Sequence, residues 1–362
     1  MTSAARLAST TSAAAAATER SFQLPSGQVI AAKVWGHAAQ GQDSRKRILA
    51  LHGYLDNANT FDLLGPALAG EGYEVVAIDL PGHGLSSHTS SDNWYDIMDY
   101  PHSIAAVQDA LGWDSCHYLG HSLGAGIASL VAGALPDRVT GCVFIDALGP
   151  FTLAPHGAHM HLRRAMQSRA ALLNKQQKVH VRCAMQSRAA LLNKQQKVWP
   201  SLELAVQARV AAAADYPGSQ TISKEAAAIL MQRSIEPVSP EHNNGKAGGV
   251  RFRYDLRLRA YSSTYLSEDT VSAFLSNIAC PCLLVTGQTG FPLSGGFRAR
   301  MQTLGPRLAD HAHLPGSHHL HLDPESWQGV RDVTLKFLAD LQESSDAAAA
   351  AAGADHAARS AL

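Results

Sequence analysis

Short apolar runs alternate with amphipathic stretches over much of the chain. The runs have the length of buried strands and are Ile48–Leu51, Val75–Ile78, Cys116–Leu119, Val139–Ile145 and Cys282–Val285. Phe22–Trp35 predicts two more strands around a Ser-Gly turn, while Ser103–Leu111 and Leu123–Leu135 predict helices. Strands that are apolar on both faces and alternate with helices are typical of a parallel sheet covered on both sides. The pattern therefore predicts an α/β fold with a mostly parallel sheet.

The alternation ends after Pro150. Residues 151–276 form a helix-rich, basic and polar stretch without a clear strand, which we interpret as a helical lid insertion between two core segments, 21–150 and 277–343. The insertion contains an internal repeat, because AMQSRAALLNKQQKV occurs at 165–179 and again at 184–198. A single repeat does not make a solenoid, which needs several stacked units. We interpret the second copy as a duplication or a gene-model artefact that the fold does not need.

Both termini have biased compositions. Residues 1–20 are rich in Ala, Ser and Thr and contain no acidic residue before Glu19. Such a composition is typical of an organelle transit peptide and equally of a disordered tail. The expected location is therefore the cytoplasm or, with a transit peptide, a plastid or mitochondrion. Residues 344–362 form an Ala-rich, low-complexity tail that is not expected to bury a core.

Composition and charge narrow the class of partner. The 362 residues include 30 Lys and Arg against 30 Asp and Glu, so the net charge is zero with His neutral. Nucleic acids and anionic membranes require a basic excess, so neither is the expected partner. No apolar stretch approaches the roughly 18 residues of a membrane helix. Five Cys provide no disulfide framework, which favours a reducing compartment. The sequence predicts a small-molecule partner and leaves the oligomeric state open.

The strongest motif is Gly120-His121-Ser122-Leu123-Gly124, which follows one predicted strand and opens a predicted helix. This is the G-x-S-x-G pattern of a nucleophile elbow, in which a serine occupies a strained turn and small neighbours allow strand and helix to approach. The alternative is a chance match in a Gly-rich chain, which the strand–turn–helix context disfavours. Ser122 is the candidate nucleophile.

A His-Gly pair, His52-Gly53, follows an earlier strand. In this architecture the main chain after such a pair supplies one oxyanion donor, and the N–H after the nucleophile supplies the other. The candidate donors are therefore the N–H groups of Tyr54 and Leu123. We expect His52 to shape its loop and Asp79 to cap main-chain N–H groups in a turn, without a role in the reaction.

The general base is expected last in chain order, which points to Gly316-Ser317-His318-His319-Leu320-His321. We select His318, directly after the Gly-Ser pair, with His319 as the alternative. A His-rich run also suggests a metal site, but no Cys or acidic cluster accompanies it in the sequence, so no metal is predicted.

The acid that would orient the histidine has two usual positions. The penultimate strand, Leu283–Gly290, is followed by no acidic residue until Asp310, so that position is empty. Asp146 follows the strand after the elbow helix and satisfies the order Ser, Asp, His. The alternative is that Asp146 merely caps the loop leading into the insertion.

These stretches resemble the serine hydrolase-like (Kraken-like) branch of the α/β-hydrolases. The resemblance spans about residues 21–341 and rests on LHGYLDNANTFD, DLPGHGLSSH, GHSLGAG, SKEAAAILMQR with RYDLRL, and PGSHHLHLDPE. It implies an eight-stranded, mostly parallel sheet flanked by helices, with Ser122 as nucleophile and His318 as base. Asp146 matches the acid position of some dehalogenase-type relatives. Dehalogenases and epoxide hydrolases themselves carry Asp at the elbow, so the resemblance disfavours both reactions for a chain with Ser122.

The sequence thus predicts a cofactor-independent serine hydrolase that acts on a carboxylic ester or related acyl substrate with an apolar portion. Two alternatives stay open. The empty acid position favours a catalytically impaired binding protein that keeps the fold, because fold alone does not establish activity. An acyltransferase or a cofactor-free haloperoxidase would use the same three residues.

Overall fold

The computed structural model describes residues 16–36, 46–177, 197–215, 217–218, 220–240, 248–292 and 295–360. The strands are β1 (Thr18–Gln23), β2 (Val29–Trp35), β3 (Arg47–Leu51), β4 (Glu74–Ile78), β5 (Cys116–His121), β6 (Val139–Ile145), β7 (Ile235–Pro237), β8 (Val250–Phe252), β9 (Cys282–Thr289) and β10 (Leu308–Ser317). The helices are α1 (Leu64–Gly70), α2 (Tyr100–Ala110), α3 (Leu123–Ala134), α4 (Ala158–Gln177), α5 (Leu202–Ala213), α6 (Lys224–Ser234), α7 (Glu268–Asn277), α8 (Gly295–Leu304) and α9 (Trp327–Ser360).

Eight strands form one sheet in the order β1-β2-β4-β3-β5-β6-β9-β10. The pairings of β1 with β2 and of β2 with β4 are antiparallel, and the other pairings in this sheet are parallel. The mostly parallel α/β architecture predicted from the apolar runs is therefore confirmed. Because six neighbouring strands run the same way, their carboxyl ends meet along one edge, where open α/β sheets usually bind ligands.

Both faces of the sheet are covered, and the strands show why. On β4, Val76 and Ile78 pack with α2, α3 and α7, while Val75 and Ala77 pack with α1 and α9. Successive side chains of a strand point to opposite faces, so a strand between two helical layers must be apolar at every position. This is the physical reason for the continuous apolar runs.

Residues 151–276 include more than helices. Strands β7 and β8 form a separate antiparallel pair here, so the expectation of a stretch without strands is wrong. Helices α5 and α6 share a small apolar cluster of their own. Helix α7 belongs to the core instead, because its Val271 and Leu275 are fully buried in the cluster that contains α3. The core therefore resumes before residue 277. Most of the second repeat copy, 184–196, lies outside the described residues.

The terminal predictions also need correction. Strand β1 begins at Thr18, inside the predicted tail of residues 1–20, because its main chain pairs with β2 from Thr18 opposite Val34 onward. At the other end, α9 continues to Ser360 through the Ala-rich tail. Alanine has the highest helix propensity, so this composition extends the helix. None of the helices in the described ranges is both long and apolar enough to cross a membrane.

Candidate active site

Ser122 lies at the sharp junction of β5 and α3. Its main chain has φ 51° and ψ −113°, a conformation that a non-glycine residue rarely adopts. The turn depends on its glycines. A Cβ on Gly120 would lie 2.6 Å from the main chain of Ala125, and a Cβ on Gly124 would collide with the carbonyl of Leu51. The Ser122 side chain is half-buried.

The two candidate oxyanion donors lie on adjacent strand ends. Tyr54 follows β3 and Leu123 is the first residue of α3, and β3 pairs with β5 so that Leu51 is opposite Gly120. The phenol hydroxyl of Tyr54 donates to the carbonyl of Leu258, 3.0 Å away, which holds the side chain against the 151–276 segment. The structure therefore brings the two main-chain positions to the same edge of the sheet.

Backbone strain is concentrated at this edge. Among the described residues, the non-glycine residues with positive φ are Leu55 at 60°, Ser122 at 51° and Asp146 at 51°. They follow β3, β5 and β6, which are consecutive strands of the sheet. Such conformations cost energy and cluster at functional sites. The strain at Leu55 has no signal in the sequence.

His318 and Asp146 are hydrogen-bonded although 172 residues separate them. The distance from His318 Nδ1 to Asp146 Oδ2 is 2.6 Å. The main-chain N–H groups of Gly287 and Phe291 donate to Asp146 Oδ1 and Oδ2, each at 3.0 Å. With Nδ1–H donated to the carboxylate, Nε2 of His318 carries the lone pair, which is the arrangement that a general base needs.

The Asp146 carboxylate lies close to the end of β9, the penultimate strand, where the sequence has no acidic residue. Asp146 follows β6, which pairs with β9, and its carboxylate accepts from the main chain of Gly287 near the end of β9 and of Phe291 just beyond it. A Cβ on Gly290 would collide with this carboxylate, so the absence of a side chain at Gly290 provides the room.

Burial favours the neutral imidazole. It lowers the pKa of His318 well below its usual value, so the ring is uncharged at neutral pH. Burial also raises the pKa of Asp146 to about 7, against the stabilising N–H groups of Gly287 and Phe291. The pair therefore reaches the combination of carboxylate and neutral imidazole as the pH rises through about 7.

His319, the alternative base, points elsewhere. Its Nε2 lies 3.0 Å from Asp56 Oδ2 and 3.2 Å from an Nη2 of Arg209 on α5. His121 contacts the loop after β10. Its Nε2 lies 2.9 Å from the carbonyl oxygen of His318, and the two imidazole rings are 4.6 Å apart. Sequence analysis missed Asp56 and Arg209. Asp56 had a weak signal in following the His-Gly pair, whereas Arg209 had none.

The residues expected to be structural make structural contacts. His52 Nε2 accepts a hydrogen bond from the N–H of Leu80 at 2.9 Å. Asp79 accepts from the N–H groups of Ala58 and Leu85 and is paired with the buried Arg233.

Two groups in the described ranges have the spacing of metal ligands, namely Cys142, Cys280 and Cys282, and Asp56, His121 and His319. In the second group the guanidinium of Arg209 already supplies the cation, since it donates to Asp56 at 2.9 Å and lies beside His319. The thiols lie away from the carboxyl edge of the sheet, because Cys282 begins β9, Cys280 precedes it, and Cys142 is opposite Cys282 in the middle of β6.

Five buried histidines make stability depend on pH. Burial lowers the pKa of each from 6.5, to about 4 for His52, to about 3 for His83, and well below the usual value for His121, His318 and His321. Below pH 6.5 the unfolded chain binds protons that the folded chain does not. The free energy of unfolding therefore falls on acidification by about 1.4 kcal/mol per pH unit for each histidine.

We expect the melting temperature to fall as the pH is lowered from 7 to 5. The raised pKa values of Asp146, Asp79 and Asp62 act in the opposite direction, but these three groups oppose six histidines, because the pKa of His311 is lowered as well. Differential scanning fluorimetry in buffers of equal ionic strength measures the effect. His83→Gln should reduce the slope, and His156→Gln at an exposed position should not. A melting temperature that stays constant or rises would contradict the assignment of neutral buried rings.

Similar proteins are found in several organisms. Residues 46–274 match the family model described as alpha/beta hydrolase fold. A serine hydrolase-like protein of Dictyostelium discoideum is 32% identical over 85% of this chain and 78% of its own length. A serine hydrolase-like protein of Danio rerio is 27% identical over 91% of this chain and 90% of its own length. The crystal structure of a hypothetical protein from Pseudomonas aeruginosa PAO1 has 35% identity and a TM-score of 0.73, covering 89% of this chain and 99% of that chain.

Proposed function

This chain belongs to the alpha/beta hydrolase fold family, among its serine hydrolase-like members, and on that premise we propose that it cleaves a carboxylic ester or related acyl substrate through Ser122, His318 and Asp146. The observation that carries the proposal is the 2.6 Å contact between His318 Nδ1 and Asp146. Through this contact Asp146 takes the place of the acid that the penultimate strand lacks. It does so at the edge of the sheet where Ser122 occupies its strained turn.

The geometry supports a two-step acyl transfer. Ser122 Oγ attacks the substrate carbonyl while Nε2 of His318 takes its proton, and Asp146 stabilises the imidazolium that forms. The N–H groups of Tyr54 and Leu123 stabilise the oxyanion. The protonated His318 then donates to the leaving group, which leaves an acyl-Ser122. A water molecule then attacks this ester while Nε2 of His318 takes its proton. His318 returns the proton to Ser122 Oγ as the acyl–oxygen bond breaks, which releases the carboxylic acid and the free enzyme.

Part of the 151–276 segment acts in this proposal as a lid over the site. Support comes from its contacts with the loops at the carboxyl edge. Asn57 donates to the carbonyl of Leu230 and to the hydroxyl of Ser234 on α6, and the hydroxyl of Ser317, next to His318, accepts from the N–H of Thr221. A lid in this position would exclude water from the acyl-enzyme and shape the substrate cleft.

Aromatic rings favour a substrate with an apolar acyl portion. The ring of Phe291 lies 4.5 Å from that of His318 in an edge-to-face arrangement. Phe151 packs on Phe291 at 5.6 Å and is 71% exposed, which is unusual for so large an apolar side chain. The two rings form an apolar surface that begins at the candidate base and ends in solvent.

Phe151→Ala should lower kcat/KM for p-nitrophenyl octanoate by about tenfold and leave p-nitrophenyl acetate unchanged. The reason is that a long acyl chain would bury the exposed ring, and burial of part of a Phe side chain stabilises binding by about 1.5 kcal/mol. Leu135→Ala, an exposed apolar residue at the far end of α3, is the matched control. Equal effects on both esters would show that Phe151 does not contact the acyl chain.

A fluorophosphonate probe tests the proposal without a known substrate. Such probes react with activated serines, so the purified chain should be labelled at Ser122, as located by peptide mass spectrometry, and His318→Ala should abolish labelling. The absence of labelling in well-folded wild-type protein would overturn the proposal and favour a binding protein. A competing alcohol or amine acceptor in the ester assay separates hydrolysis from acyl transfer.

A further inference from the structure

The Asp56 carboxylate is the meeting point of four segments of the candidate site. Asp56 lies with Tyr54 in the loop after β3, residues 52–57, which we call the oxyanion loop. His319 follows His318 in residues 317–322 at the end of β10, which we call the base loop. His121 precedes Ser122, and Arg209 comes from α5 in the 151–276 segment. Asp56 Oδ2 lies 3.0 Å from His319 Nε2 and 3.7 Å from His121 Nδ1, and Asp56 Oδ1 accepts from Arg209 at 2.9 Å. The Asp56 side chain is 1% exposed and that of Arg209 13%.

The charges in this cluster are arranged around an ionised carboxylate. Burial works to raise the pKa of Asp56, but the charges of His319 and Arg209 outweigh it and hold the pKa well below its usual range. A buried charge is tolerated only when it is paired and hydrogen-bonded. Arg209 is therefore, beside His319, a partner of the ionised Asp56, and it reaches Asp56 from 153 residues away in the chain.

Arg209 bridges two loops that also meet directly, because Asp56 Oδ2 lies 3.0 Å from His319 Nε2. One of its Nη atoms contacts both Asp56, two residues after Tyr54, and His319, one residue after His318. Other hydrogen bonds join the 151–276 segment to one loop at a time, such as Tyr54 to Leu258 and Thr221 to Ser317. Displacement of α5 would thus remove a shared anchor from the oxyanion loop and the base loop.

We propose that Asp56 and Arg209 form a latch that seats α5 on the site and positions Tyr54 and His318 relative to Ser122. The inference rests on the proposed function, because the positioned groups are those of the proposed reaction. Both are positioning residues and do not contact the reacting atoms. A latch of this kind couples the seating of the lid to the assembly of the site, so the two loops take their reactive arrangement when α5 is in place.

The latch predicts a particular kinetic signature. Asp56→Asn should lower kcat by about 100-fold, because a displacement of about 1 Å in a catalytic group costs on this order. KM should change less than threefold, since the acyl-binding surface at Phe291 is not touched. Arg209→Gln should have a similar effect, and Arg209→Lys, which keeps the charge, should recover at least tenfold of the lost rate. The double variant Asp56→Asn/Arg209→Gln should be no slower than the slower single variant.

Hydrogen–deuterium exchange tests the latch independently of activity. In Asp56→Asn and Arg209→Gln, amide exchange should accelerate in residues 202–213 and 314–321 while the central strands stay protected. Arg251→Gln, which removes an ion pair with Glu236 on the β7–β8 pair, is the matched control and should change neither exchange in these segments nor kcat. If Asp56→Asn does not fold, Arg209→Gln on the partly exposed helix α5 provides the same test.

The outcomes separate the latch from the proposed function. If wild-type protein is labelled at Ser122 but the two variants keep kcat within threefold and show unaltered exchange, the latch is wrong and the hydrolase stands. A loss of kcat accompanied by faster exchange throughout the chain would indicate general destabilisation and would also overturn the latch. If wild-type protein is not labelled, the proposed function fails, and hydrogen–deuterium exchange alone then tests the latch. Accelerated exchange at residues 202–213 in the two variants would support the latch, and unaltered exchange there would overturn it.

Discussion

Ser122→Ala is expected to lower kcat for short p-nitrophenyl esters by about 10⁴-fold or more and to abolish fluorophosphonate labelling. The substitution removes the only atom that would bond to the acyl group and leaves the rest of the site in place. The half-buried Ser122 side chain makes no hydrogen bond with another protein group in the described part of the chain. The melting temperature should therefore change by less than about 1 °C, since a change in stability of about 0.5 kcal/mol shifts it by only about 0.7 °C in a chain of this length.

Ser129→Ala is the matched control for this prediction. Ser129 lies on the same helix, is buried, and donates only to the carbonyl of Gly126 within that helix. Its replacement should leave kcat and labelling at the wild-type level. Esterase activity that survives Ser122→Ala would mean that another residue is the nucleophile, and it would remove the basis for the proposed function.

Asp146→Asn is expected to lower kcat by about 10⁴-fold, by analogy with the loss of the acid in other triads. An amide in place of the carboxylate would favour the wrong tautomer of His318 and could not stabilise the imidazolium. The backbone should tolerate the change, because Asn is enriched at positive φ, where Asp146 lies at 51°. Steady-state kinetics from pH 5 to 9 measures the loss at the plateau of the profile.

The same substitution distinguishes the catalytic role from a capping role. Asp146 accepts hydrogen bonds on both oxygens, from Gly287 and Phe291, so Asn would also place an NH₂ group against one main-chain N–H. A purely capping residue would show a lower melting temperature with a kcat loss below tenfold, and that result would remove Asp146 from the proposed triad. Asp323→Asn is the control for the loss of a cap. It is the same isosteric change and weakens only the hydrogen bond that Asp323 accepts from the N–H of Ser223.

Local patterns were sufficient for most strands of the sheet and for the nucleophile turn. The run Val139–Ile145 coincides with β6 residue for residue, because a strand packed between two helical layers is apolar at nearly every position. The G-x-S-x-G motif identified the β5–α3 junction, since its chemistry depends on glycines within four positions of one another. The two short strands β7 and β8 were missed because three residues are too few for a periodic signal.

The base and the acid were only partly accessible to sequence reasoning. Chain order restricted the base to His318 or His319, and their side chains diverge, one to Asp146 and the other to Asp56. Consecutive residues in a loop carry no signal for which one faces a partner far away in the chain. Asp146 could be selected by its position after a strand, but not distinguished from a cap until its distance to His318 was known.

The sequence by itself determined the α/β class, the strand that carries Ser122 and the short list of candidate partners, because these depend on residues close together in the chain. Only the tertiary structure decided that β6 and β9 are neighbours, so that Asp146 reaches the end of β9 and meets His318. It alone also joined Arg209 to Asp56 across 153 residues. Hydrogen bonds and ion pairs of this kind require atoms to lie within about 3 Å. Such proximity follows from strand order and helix packing, which no short stretch of sequence encodes.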